Sequence, residues 1–272
     1  MDNLYTSRYD DQAVGLRRIM AGPQPRVISV LSATSGQEKS RILTNLAVSL
    51  QQSGSEVLVV NADSQQFVQT YGAIGLSTLV AVAERKASLK AAIRRNNQGF
   101  SVSNLMTVKQ LRAGLDEQAC LLLNSLVDSL ARQYDVLLVD AELTSDDTLP
   151  LPILNEGEIV IQLNNKPDAI KQAYRLIKQA YSQLGCRSFG ILVTGVDAAQ
   201  AESVFRNLSQ VARRYLAVKL DFMGAIPPDE YLNRAARLGR AVVEAFPMAL
   251  ASAAFKELAQ KLDYGHHTYV TS

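Results

Sequence analysis

One stretch constrains the fold more than any other: Arg26 to Asn45, RVISVLSATSGQEKSRILTN. The run Val27-Ile28-Ser29-Val30-Leu31 reads as a buried strand. It breaks into a loop of small residues, Ser32-Ala33-Thr34-Ser35-Gly36, and re-enters regular structure through Gln37-Glu38-Lys39-Ser40. Leu43, Leu46, Ala47 and Leu50 then recur at helical spacing. Strand, loop, Lys-Ser and helix in that order form the layout of a phosphate-binding loop. In such a loop, backbone N–H groups and a helix N-terminus surround the phosphates, the Lys neutralises them and the Ser hydroxyl holds Mg²⁺.

The rest of the chain supplies the sheet that such a loop needs. Glu56-Val57-Leu58-Val59-Val60 is a continuous apolar run, the pattern of a strand buried on both faces of a parallel sheet. Residues 100–106, 136–139, 158–163, 189–193 and 220–226 read as further strands. Between them the spacing predicts helices over about 78–95, 116–133, 170–185 and 202–215, and then over 231–243 and 250–262. Pro150 and Pro152 mark a loop. The expected fold is α/β, a mostly parallel sheet with helices on both faces, in one domain spanning 26–263. Residues 1–25 form a separate N-terminal segment, cut off by Gly22-Pro23-Gln24-Pro25, and residues 264–272 a flexible tail.

Right-handed crossovers bring three features to the carboxyl ends of neighbouring strands. Lys39-Ser40 opens the first helix, Asp63 follows the second strand, and Asp140 ends the run Tyr134-Asp135-Val136-Leu137-Leu138-Val139. A hydrophobic run followed by Asp fits a Walker B carboxylate. Gly36, Lys39, Ser40 and Asp140 are therefore the candidate nucleotide-binding residues, with Ser40 and Asp140 placed to hold Mg²⁺.

Composition narrows the partners. A net charge of +2 over 272 residues offers little electrostatic drive toward nucleic acid. The polar N-terminus is not a signal peptide, no apolar run approaches the ~20 residues of a membrane span, and a cytoplasmic location is expected. Cys120 and Cys186 read as reduced thiols, and His266-His267 as part of a polar tail. The helix carrying Leu250, Phe255, Leu258 and Leu262 reads as packed on the domain rather than as a membrane anchor, because only Lys256 and Lys261 supply positive charge. Peripheral membrane association keeps only that weak support.

Over nearly its whole length the chain resembles the MinD/ParA family of P-loop ATPases, and within it the FlhG/FleN regulators of flagellar number. DQAVGLRRIM (Asp11 to Met20) resembles the N-terminal DQAxGLR signature of that group. NKPDAIKQAYRLIK resembles the family's PEPTAxTDAYxLIK stretch, and GAIPPD its G-x-I-P-x-D turn near the nucleotide base, which adds Pro227 to the binding candidates; the strand end that contacts adenine in the family adds Thr194. The resemblance implies ATP and Mg²⁺ as cofactors, Asp63 as the residue orienting the attacking water, and an FlhF-like GTPase as partner. Asp11, Gln12, Leu16 and Arg17 are the candidate contacts to that partner.

The departures from the family's K-G-G-x-G-K-[ST] loop are as specific as the matches. The first Lys, which the family sends across a dimer, is Thr34; one Gly is Ser35; the Gly before the second Lys is Glu38. Asn61 replaces the first Asp of the D-x-D pair, Asp140 is followed by Ala141-Glu142-Leu143-Thr144, and Thr194 stands where the family has Asn. A carboxylate ~4 Å from a phosphate, at an effective dielectric of about 20, costs up to about 4 kcal/mol, roughly a thousandfold in affinity. The expectation is weak or absent ATP binding, no ATP-driven dimer, and a regulator acting through protein contacts. The alternatives are a working ATPase switching between monomer and dimer, and a partitioning protein of the ParA type.

Overall fold

The strands form because their residues are apolar on both sides. In β2 (Val57–Asn61), Val57 and Val59 face one core layer while Leu58 and Val60 face the other. In β5 (Val136–Asp140), Val136 and Leu138 face the first layer, Leu137 and Val139 the second. A strand with period-two side chains can be apolar throughout only if both faces of its sheet are covered. The computed structural model, which describes residues 26–62, 73–185 and 187–268, shows that sheet.

It has eight strands in the order β3-β4-β2-β5-β1-β6-β7-β8. Besides β2 and β5 these are β1 (Arg26–Ser32), β3 (Ile93–Arg95), β4 (Ser101–Asn104), β6 (Glu158–Asn164), β7 (Phe189–Thr194) and β8 (Leu220–Ile226). All neighbours run parallel except β3 against β4. One face is covered by α1 (Gly36–Gln52) and a C-terminal helix, Leu250–Thr268, through Ile42, Leu43, Leu46, Phe255 and Leu258. The opposite face is covered by three helices, Glu117–Ala131, Pro167–Leu184 and Ala198–Leu216, through residues such as Leu123, Val127, Ile177 and Leu208.

Six shorter helices complete the described residues: α2 (Leu79–Ala83), α3 (Leu89–Ala92), α4 (Val108–Ala113), α6 (Pro152–Glu156) and the pair α9 (Glu230–Arg237) and α10 (Val242–Ala245). The long helices are thus α5 (Glu117–Ala131), α7 (Pro167–Leu184), α8 (Ala198–Leu216) and α11 (Leu250–Thr268).

Four local expectations are corrected. The helix expected over 78–95 is two short helices and an edge strand. Arg85 takes φ +60°, the amides of Lys86 and Ala87 both turn back to the Ala81 carbonyl, and Ser88 starts a new helix. Asn96 to Gly99 then close a β3–β4 hairpin, with Gly99 at φ +91°. The helix expected over 231–243 stops at Arg237, where Leu238 caps it and Gly239 takes φ +66°. Pro152 opens α6 instead of lying in a loop, as its missing N–H allows at a first helical position. Finally, α11 runs to Thr268, past the end expected at Leu262. Its buried face carries Phe255, Leu258 and Leu262 as expected, but Leu250 is exposed.

Close approach at the base of the sheet requires Gly157, where an added Cβ would lie 2.4 Å from the Val27 carbonyl oxygen. Arg187 donates to the carbonyls of Asn155 and Gly157 beside it, and burial holds its pKa below the ordinary arginine value. No described helix is long and apolar enough to cross a membrane.

Candidate functional site

Strand register sets the site. Ser32 pairs with Gln162 across β1 and β6, Asn164 with Thr194 across β6 and β7, and Asn61 and Val30 both with Asp140. Five carboxyl ends therefore converge beside the loop that follows β1. Within that loop Ser35 caps α1, its side chain accepting the Glu38 amide and its carbonyl the Lys39 amide.

Lys39 reaches the end of β5. Its Nζ lies 2.5 Å from Asp140 Oδ1 and donates to the Ala141 carbonyl at 3.0 Å. Both side chains are buried, 4% and 2% exposed. The loop lysine and the Walker B carboxylate are brought together as expected, and each neutralises the other. Ser40 is buried beside them in the first turns of α1.

Glu38 is the second departure. Ser35 and Glu38 have the S-x-x-E spacing of a capping box, in which the Glu side chain returns to the N-cap amide. Here it turns away. The Thr194 hydroxyl donates to Glu38 Oε1 at 2.6 Å, and Gln162 Nε2 lies 3.2 Å from the same oxygen. Gln162 Nε2 also donates to Thr194 Oγ1 at 2.8 Å. On its other side Gln162 Oε1 accepts from Ser32 Oγ at 2.5 Å and from Thr34 Oγ1 at 2.9 Å. One buried amide thus ties together the loop position that carries a Lys in the family, the Glu beside the loop lysine, and the end of β7. Sequence reasoning missed Gln162. Its signal was a lone polar residue inside the apolar strand EIVIQLN, a position that needs hydrogen-bond partners on both sides.

Outside this network lies a cleft of about 570 Å³ between the start of α1 and the start of α9. Thr194, Pro227, Asp229 and Arg41 line it, Thr194 and Pro227 being the two that the sequence named as candidates. Asp229 is committed to structure, accepting the Tyr231 and Ala251 amides. Gly36, read as the end of the loop, is the first residue of α1. Asp63 lies outside the described residues, as do Asp11, Gln12, Leu16, Arg17 and Cys186; Cys120 is half-buried. Among the described residues no three His, Cys, Asp or Glu side chains are grouped to hold a metal ion.

In this arrangement the residues do not fit a triphosphate with its Mg²⁺. The Glu38 carboxylate, in the first turn of α1, is held by Thr194 and Gln162 and sets a negative charge next to the loop lysine. The lysine that would neutralise the phosphates has its charge met by Asp140, the same carboxylate that Mg²⁺ would recruit.

A parallel sheet with a strand–loop–helix phosphate cradle at its carboxyl edge defines a P-loop-type nucleotide-binding domain. Residues 28–242 match the CobQ/CobB/MinD/ParA nucleotide binding domain, and the chain belongs to that family. It is 29% identical to the antiactivator FleN of Pseudomonas aeruginosa over 242 residues, 88% of this chain and 86% of that protein. Among solved structures it superposes on Pyrococcus horikoshii MinD complexed with Mg-ADP, with a TM-score of 0.64 at 19% identity over 88% of this chain and 96% of that one. It also superposes on the MinC:MinD cell division complex of Aquifex aeolicus, with a TM-score of 0.60 at 20% identity over the same shares. At these identities the structural matches establish the fold, a MinD/ParA-type P-loop domain.

Proposed function

We propose that this chain is an FlhG/FleN-like regulator of flagellar number or placement that works through protein contacts, with ATP binding weakened and hydrolysis lost. The observation that carries the proposal is the closed network at the cradle: Glu38 on Thr194 and Gln162, and Lys39 on Asp140. The likeness to an antiactivator and to a fold-mate found in complex with a second protein supports a role in binding other proteins. In this reading Asp11, Gln12, Leu16 and Arg17 of DQAVGLRRIM engage an FlhF-like GTPase, with Leu16 as apolar anchor and Arg17 as cation. The protein acts in the cytoplasm or at its membrane face.

The second reading, a nucleotide-switched ATPase, is favoured by the retention of Lys39, Ser40 and Asp140. Titration calorimetry with ATP and Mg²⁺ separates the two. We expect a dissociation constant weaker than micromolar, and tighter binding would select the ATPase. The partner assignment is tested separately, by GTPase stimulation with the full chain and with a chain lacking residues 1–20. Equal stimulation by both refutes it.

A further inference from the structure

The sheet ends at β8, and a groove of about 900 Å³ runs along the α8 side of that edge. Its wall is a single stripe of α8. Phe205 and Arg206 lie three and four residues after Glu202, and Arg213 and Arg214 three and four after Gln210, so all share one face and line it. Its floor is aromatic, the Phe205 and Phe222 rings lying 5.2 Å apart and both half-buried. The three arginines are exposed. Arg214 lies over the Tyr215 ring, and among the described residues Arg206 and Arg213 have no carboxylate within ion-pair distance. Glu202 is the one acidic residue of the lining.

A basic wall over an aromatic floor calls for an occupant that is acidic and aromatic. A second copy of this chain fits poorly, because a two-fold axis along β8 would set arginine stripe against arginine stripe. The chain carries a suitable segment itself. Residues 1–11, MDNLYTSRYDD, hold three Asp against one Arg, and they place Leu4 beside Tyr5, Thr6 and Tyr9, three good strand formers, in one short run. Six extended residues cover ~20 Å, and the α8 stripe from residue 202 to 214 covers ~18 Å at ~1.5 Å per residue. The reach is ample. Arg26 opens β1 at the same end of the sheet as Leu220, with β6 and β7 between. That separation is ~14 Å, and residues 11–25 can span ~40 Å.

We infer that the groove between α8 and the β8 edge receives residues 2–10 of the chain's own N-terminal segment, Tyr5 and Tyr9 resting on Phe205 and Phe222 and Asp2 and Asp10 facing the arginines. The bulge at Met223 interrupts the β8 edge, so side chains rather than a backbone ladder carry the recognition. This docking would hold Asp11 to Met20 beside the sheet edge, and it stands independently of which protein that stretch binds.

The test uses the full chain with Cys120 and Cys186 changed to Ser, carrying Thr6→Cys together with Gln210→Cys. Mild oxidation should form an intramolecular disulfide at least tenfold faster than in a control pairing Thr6→Cys with Lys178→Cys on α7. The advantage should disappear when Arg206→Glu and Arg213→Glu are added, exposed changes whose folding is checked by circular dichroism. Equal rates for the two cysteine pairs, or rates unmoved by the charge reversal, overturn the inference. A disulfide-linked dimer as the main product also overturns it and assigns the groove to a second copy.

Discussion

Glu38 and Lys39 are neighbours in the chain and reach different strands: Lys39 the end of β5, Glu38 the ends of β6 and β7. The consequences of changing them differ accordingly. Glu38 faces a cleft, so its removal opens space and lifts an anion from an anion site. Glu38→Gly should tighten ATP binding at least ~10-fold, a fraction of the limit set by Coulomb repulsion. Glu38→Gln, which keeps the length and loses the charge, should recover less. Calorimetry on both variants checks this, and no gain in either would shift the obstruction to Thr34 and Ser35. Lys39 is different, because its partner is buried. Lys39→Met strands the Asp140 charge at 2% exposure and should lower stability by about 3 kcal/mol. The double variant Lys39→Met/Asp140→Leu should regain most of that loss, since an apolar pair of similar volume carries no desolvation cost. Urea unfolding of the two variants gives the comparison.

At the scale of elements, the Asn45 side chain joins α1 to the start of α10. Asn45 Oδ1 accepts the Val242 amide at 2.6 Å, while its Nδ2 donates to the Arg41 carbonyl. Asn45→Ala leaves a buried amide at the start of α10 without its acceptor and should cost about 1–3 kcal/mol; a change in thermal midpoint of under a degree would contradict this. Asn45 sits inside a helix whose apolar spacing was plain, yet its long-range role had no local signature. The same contrast holds across the fold. β2 and β5 were legible because double-sided burial leaves an unbroken apolar run, and β1 and β6 because a single polar residue, Ser29 or Gln162, interrupts an otherwise apolar one. The stretch 78–95 was misread because Leu79, Ala83, Ala87 and Ala91 fit helical spacing, while the break depends on Arg85 adopting a positive φ and on β4 offering an edge to Ile93–Arg95. Helix α4 was missed although Thr107 and Gln110 form a full capping box, because with no buried residue it shows no apolar period. At the site, Lys39, Ser40 and Asp140 were readable from type and order. That Glu38 would bond Thr194 through a network centred on Gln162 was not, since it depends on the β1–β6–β7 register, which no single segment encodes.

At the scale of the whole molecule, the question is whether nucleotide can join two copies. In the family that the chain resembles, a first loop lysine crosses to the partner's nucleotide. Here that position is Thr34, whose Oγ1 donates to Gln162 Oε1 within the same chain. A threonine spent on its own sheet reaches nothing across an interface, and it carries no charge with which to offset two facing polyanions. A dimer closing over two nucleotides would also have to displace both Glu38 carboxylates from Thr194 and leave them against phosphate. Loop contacts that reward dimerisation in an ATP-driven switch would therefore oppose it here. We expect the molar mass in solution to be the same with and without millimolar ATP and Mg²⁺, as read by light scattering over a tenfold range of protein concentration. A doubling of mass that appears only with nucleotide would show that the network opens under load and that the chain is a switch after all. If the mass stays constant in the parent chain and doubles in a Thr34→Lys/Ser35→Gly/Glu38→Gly variant, the three loop positions are sufficient to account for the loss.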